Sequence, residues 1–395
     1  MIKISLRPNL KYPLQLIIWS FIRSVERELI GIFFSVQINL MFLSLMFLGE
    51  FIFGLAIFLY QNHYLKQKLK EENKNSVIIS PTFAAIKLIT NKQDIMKRSD
   101  SDFKIFFLIV INAFYDFVEF ALSAEVLPKF ITASSSIELR LNGILIIIQA
   151  LCYHHILKLP IFRHQIFSLI IIAICLSLTI IIEFIFQDIN IFLSFPKFLL
   201  LFLILFLIQL FNSILDLVDK YLFEYNYLNP FKTLMIEGFA GFVYSVIYSI
   251  YRNPISSLIE YYNNNNSENF IILIILLIIY IALCGIQNSY RVATNKIYSP
   301  MAATLSQYFL NPIYIIFSLI VGGDFTSNGK INYIYFIFNI FLSIIISLCG
   351  CVYNEFIILF FCNLHQETFS QISSRAESNM NKELIELADD IDEIE

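Results

Sequence analysis

Apolar and polar positions along this chain fall into long blocks, not into the short periods of a soluble fold. Residues 31–49 carry no charge, Glu50 follows, and residues 51–62 are again uncharged. Residues 198–215, 270–286, 297–323 and 331–354 also lack charge. A helix rises about 1.5 Å per residue, so about 20 apolar residues cross a bilayer's hydrocarbon layer. On that scale apolar spans fall at 31–61, 104–124, 128–153, 165–186, 198–219, 233–251, 270–289, 300–321 and 331–361. Residues 11–30 read as a first span that is degraded or missing, because Arg23, Glu26, Arg27 and Glu28 interrupt it. The blocks are apolar throughout, whereas the strands of a membrane barrel alternate. The expected fold is therefore an all-α polytopic membrane protein of about ten transmembrane helices.

Composition sharpens the class. Of 395 residues, 58% are hydrophobic and only 15% charged, which excludes a soluble domain. The net charge of −4 adds little, because the acids gather in residues 367–395. Nothing supports nucleic-acid binding. The six cysteines lie in or beside apolar spans and read as small packing residues, with no disulfide, metal site or cofactor expected. No clean signal peptide is seen, since charge follows the apolar residues 14–22 at once.

Four segments follow. Residues 1–30 form an amino-terminal segment, 31–186 a first helical repeat, 187–362 a second, and 363–395 an acidic, disordered cytosolic tail. The basic loop 62–103 interrupts the first repeat and is expected to be cytosolic. Alternating from it, loops on the cytosolic side hold 15 Lys/Arg and those on the other side four. Asn265-Asn266-Ser267, a glycosylation acceptor pattern, then falls on the non-cytosolic side.

A faint internal repeat accompanies this order. Leu48-Gly49-Glu50-Phe51 in the second span is echoed by Met235-Ile236-Glu237-Gly238-Phe239 in the seventh. Leu127-Pro128 with Thr132 to Ser135 is echoed by Ser299-Pro300 with Ala302 to Ser306. Both pairs lie five spans apart, as expected of two five-helix halves of inverted topology.

Charged groups inside apolar spans are the candidate chemistry, because each is expensive at bilayer depth. Glu50 and Glu237 would occupy equivalent places in the two halves, as coupling sites or as structural carboxylates. Asp116 and Glu119 share a helix face with Asn112, and two such carboxylates resist joint ionisation, which suits a proton relay or pairing with one cation. Thr132 to Arg140, with Ser135, Ser136, Glu138 and Arg140, reads as a cavity wall or a tight helix contact. Gln209, Asn212 and Asp216 form one polar stripe, while Asp219 and Lys220 are placed at the water boundary. Tyr244, Tyr248 and Tyr251 read mainly as packing. Arg291, near Gln287 and Asn288, would meet an anionic group or snorkel to the interface. His154 and His155 have no acid or thiol cluster for catalysis.

These residues resemble the drug/metabolite transporter superfamily, with closest likeness to the nucleotide-sugar-transporter-like solute carrier family 35, F subfamily. The likeness runs through Phe47 to Phe51, Thr132 to Glu138, Val218 to Asn226, Ile236 to Phe242, Asn288 to Leu305 and Val352 to Asn354. It covers about residues 35 to 360 and departs at the first helix, at Glu138 and at Arg140. The resemblance implies two inverted five-helix repeats, both termini cytosolic, and a central cavity lined by Glu50, Ser135, Ser136, Glu138, Glu237 and Asn288. The expected function is secondary transport of a small polar solute in an endomembrane (Golgi, endoplasmic reticulum or lysosome/vacuole). Substrate contacts fall to Glu50, Asp116, Ser135, Ser136, Glu138, Arg140, Glu237, Asn288 and Arg291. The expected partners are the lipid bilayer and that solute, with a homodimer allowed. A non-transporting scaffold or complex subunit is the alternative, followed by a membrane-embedded enzyme.

Overall fold

The computed structural model describes residues 2–4, 11–34, 39–74, 101–123, 143–158, 161–186, 195–252, 267–297, 302–304, 309–313, 315–316, 326–327, 330–331, 333–360, 364–368 and 371. They are mostly helical. In chain order, β1 (Ile2–Ile4) precedes α1 (Lys11–Phe34), α2 (Asn39–Lys74) and α3 (Asp102–Ala121). Next come α4 (Gly143–His155), α5 (Arg163–Phe186), α6 (Phe195–Glu224), α7 (Pro230–Arg252) and α8 (Ser267–Ile297). The two-residue strands β2 (Thr326–Ser327) and β3 (Lys330–Ile331) pair with each other before α9 (Tyr333–Tyr353). After α9, β4 (Ile357–Leu359) pairs antiparallel with β1, so that Ile2 faces Leu359.

Local signals set several boundaries. The Ser101 hydroxyl caps α3 by accepting from the Lys104 amide at 3.4 Å. The Asn229 side chain caps α7 by accepting from the Phe231 amide at 2.9 Å, with Pro230 in the first helical position, where a missing N–H does no harm. Beyond the ends of α4, α6 and α9, Lys158, Tyr227 and Glu355 adopt positive φ, the left-handed turn that stops a helix.

Among the described residues four helical segments are long and apolar enough to cross a membrane: Phe42–Tyr64, Pro230–Ile250, Phe270–Ile297 and Tyr333–Tyr353. Their outer faces are apolar, as at Ile271, Ile275 and Ile278 on α8 and at Ile337, Phe341 and Ile344 on α9, all exposed. Such bands mark a surface that meets lipid or another apolar partner. Of the two expectations for the first helix, degraded or missing, it is not missing: residues 11–34 form a continuous helix of 24 residues, which is not one of these four segments. Of its charged side chains, Glu26 is buried and Arg23 half-buried.

The chain divides into two compact units. The larger comprises Lys11–Ala133 and Asn190–Gln307, and the smaller comprises Met1–Leu10, Ser134–Ile189 and Tyr308–Glu395. Within the smaller, α5 packs along α9 through small residues, including Ser168, Cys175 and Thr179 on α5 and Ser343, Ser347 and Gly350 on α9. His164 at the start of α5 lies 3.6 Å from the Glu355 carboxylate.

In the larger unit α2 runs against α7 and α8, α1 against α8, and α3 against α6 and α7. The α2 crossing is close enough for backbones to touch. A methyl group added at Gly238 would collide with the Phe51 amide, and one at Gly49 with the Ile281 carbonyl. Only glycine lets α2 approach both neighbours this closely.

Candidate functional site

Among the described residues of the larger unit two apolar clusters stand out, with polar side chains between them and on their flanks. One cluster joins Ile30 of α1, Phe42, Leu43, Met46 and Phe47 of α2, Phe117 of α3, and Leu273, Leu277, Tyr280 and Cys284 of α8. The other joins Ile105 and Ile109 of α3, Leu222 and Phe223 of α6, Leu228, Leu234 of α7, and Val292 of α8. Along α8 the interval between the clusters holds Gln287, Asn288 and Arg291; along α3 it holds Asn112 and Asp116. Glu50 on α2 and Glu237 on α7 occupy the same layer.

In it and on its flanks, acids accept from side-chain amides or a hydroxyl. Asn288 Nδ2 donates to Glu50 Oε1, both buried. Asn112 Nδ2 donates to Glu237 Oε1 at 2.9 Å, both again buried. Asn212 Nδ2 donates to Glu119 Oε1 at 3.1 Å, Asn295 Nδ2 to Asp219 Oδ2 at 3.0 Å, and the Thr304 hydroxyl to Asp216 Oδ2 at 3.3 Å. A charge-assisted bond of this kind contributes about 1.5–3 kcal/mol, and a buried carboxylate without one is penalised by desolvation.

Two arginines answer the acids. Arg291 interacts electrostatically with Asp116, Asp219, Glu50 and Glu237. Arg23 of α1 interacts with Glu50 and Asp116 and reaches Cys284. Asp216 and Asp219 also interact with each other and with Asp116. A single network thus runs through α1, α2, α3, α6, α7 and α8.

The sequence-selected residues divide accordingly. Glu50, Asp116, Glu237, Asn288 and Arg291 come together in this layer. Ser135, Ser136, Glu138 and Arg140 lie outside the described residues, as do the side chain of Tyr251, Asn265 and residues 372–395. Asp219 was expected at the water boundary and is instead fully buried, held by Asn295. Tyr244 and Tyr248 pack on Phe114 and Phe117, with ring centroids 5.5 and 5.6 Å apart. His154 and His155 are exposed at the end of α4. No group of three His, Cys, Asp or Glu suited to a metal ion occurs among the described residues.

Sequence reasoning missed Arg23 and Asn295. Asn295 was legible in principle, because Gln287, Arg291 and Asn295 recur every fourth residue on one helix face. Arg23 was visible but counted against its helix, since a charge in an apolar span signals either a failed span or a buried partner.

A scan against models of known protein families finds no match, and neither does a search of curated proteins.

Proposed function

We propose that this chain is a secondary transporter of the drug/metabolite type, carrying a small polar organic solute across an endomembrane by alternating access. The observation that carries the reading is the doubled carboxylate–carboxamide pair, Glu50 with Asn288 and Glu237 with Asn112. In each pair the acid comes from the second helix of one half and the amide from the third helix of the other. The packing repeats the same exchange: α1 on α8 corresponds to α6 on α3, α2 on α8 corresponds to α7 on α3, and α2 on α7 corresponds to itself. Such a relation is what two inverted repeats of one chain would generate. Ten helices in two five-helix halves is the architecture this favours, with both termini cytosolic.

In that architecture the polar layer lies near the bilayer midplane, where transporters of this design hold their substrate. The acids supply negative potential or exchange protons, and the apolar clusters on either side act as the two seals. The resemblance to nucleotide-sugar-transporter-like carriers supports the same class of function.

Uptake into proteoliposomes tests it. Once a transported solute is found in a metabolite panel, Glu50→Gln and Glu237→Gln should each cut its uptake by about tenfold or more. Unchanged uptake by both variants removes the proposed roles. A scaffold would tolerate both substitutions and show no flux with any solute.

A further inference from the structure

We propose that the polar layer of the larger unit binds a hydrogen-bond-donating organic cation, a protonated amine, and rejects anionic solutes. The proposal deepens the transporter reading and rests on it only for movement across the membrane; binding stands by itself.

Charge is the first argument. Five carboxylates of the network, Glu50, Asp116, Asp216, Asp219 and Glu237, face two guanidiniums, Arg23 and Arg291. Arg291 already interacts with all five of those acids, so it is poorly placed to hold a phosphate as well. In a medium of low dielectric each acid of this set that is ionised repels an anion and attracts a cation far more strongly than in water.

Open hydrogen-bonding valences are the second argument, and they are independent of the first. Four buried acceptor atoms of the larger unit have no partner among the described residues: Asp219 Oδ1, Asn295 Oδ1, Asn112 Oδ1 and Gln287 Oε1. Their residues are 0, 4, 0 and 3% exposed. One open buried donor accompanies them, Arg291 Nε. The amide orientations are fixed, because Asn112 and Asn295 must present their NH₂ groups to Glu237 and Asp219. Their oxygens are thereby turned away from the acids, as further acceptors. Buried polar atoms normally have partners, so a set of open acceptors identifies a ligand rich in donors. An ammonium group brings three donors and a positive charge, whereas a sugar phosphate adds to its hydroxyl donors the negative charge of acceptor-only phosphate oxygens. The absence of a metal-binding cluster among the described residues favours an organic cation over a metal ion.

The test uses the full chain in nanodiscs at constant ionic strength. Thermal unfolding is followed with butylammonium, butanol, butyrate and uridine diphosphate glucose, the first three differing only in their head group. Butylammonium should raise Tm saturably while the other three do not. Asp219→Asn should weaken the apparent Kd for butylammonium by about tenfold, the usual effect of losing one buried charge-assisted contact. Gln287→Leu, which removes an acceptor and no charge, should weaken it less. Asp219→Glu should retain binding. Equal shifts with butanol and butylammonium, a larger shift with either anion, or no amine-dependent shift at all would overturn the proposal. Amine binding without amine flux in proteoliposomes would uphold the cation site and sink the transporter reading. Flux of uridine diphosphate glucose without an amine shift would uphold transport and overturn the cation site.

Discussion

Asn112 on α3 donates a 2.9 Å hydrogen bond to Glu237 on α7, 125 residues further along the chain, with both side chains buried. Asn288 on α8 does the same for Glu50 on α2. Each amide gives its acid a donor that lipid cannot provide. Asn112→Leu and Asn288→Leu should therefore each destabilise the protein by about 1–3 kcal/mol, read as a fall in Tm in detergent. Replacing the acid as well, as in Asn112→Leu with Glu237→Leu, should recover part of that loss, because no orphaned carboxylate remains.

Gly49 and Gly238 let backbones touch where α2 crosses its neighbours. Gly238→Ala should destabilise by about 1–3 kcal/mol through overpacking, and Gly238→Leu by more. A matched substitution at the exposed Phe239, to Leu, should change Tm little. Thermal unfolding of the three variants side by side gives the comparison.

Arg291 sits among five acids. Arg291→Met removes their shared counter-charge and should destabilise by about 3–5 kcal/mol. Neutralising Asp219 in the same protein, by Asp219→Asn, should restore a measurable share of the lost Tm. Arg23→Met should behave in the same direction, with Glu50→Gln as the compensating change.

If the acids exchange protons for solute, a transmembrane pH gradient should drive uptake into proteoliposomes. Collapsing it with a proton–potassium exchanger should slow initial uptake by about tenfold, and Glu50→Gln should abolish the difference. Equal rates with and without the gradient would remove proton exchange from the mechanism.

The membrane class was plain in residues 198–215 and 270–286, since uncharged runs of that length have few other uses. The echo of Gly49-Glu50 in Glu237-Gly238 was visible too, but not that α2 and α7 pack on each other. What pattern could not reveal was partnership. Asn112 was assigned to the face of Asp116, one turn away, yet its bond goes to Glu237 across the bundle. Asp219, beside Lys220, looked like a boundary residue because solvation is judged from neighbours in sequence, while its burial is created by α8. The same blindness made α1 look broken, when Arg23 is tied to acids on α2 and α3.

The bare backbone contacts of Gly238 with Phe51 and of Gly54 with Met235 have a mechanical consequence. With no side chains between them, α2 and α7 have no slack to slide or roll past each other without collision. Any motion that uncovers Glu50 must carry Glu237 with it. If the proposed alternating access holds, the two acids travel as one load, presented together to each compartment and not handed from one to the other.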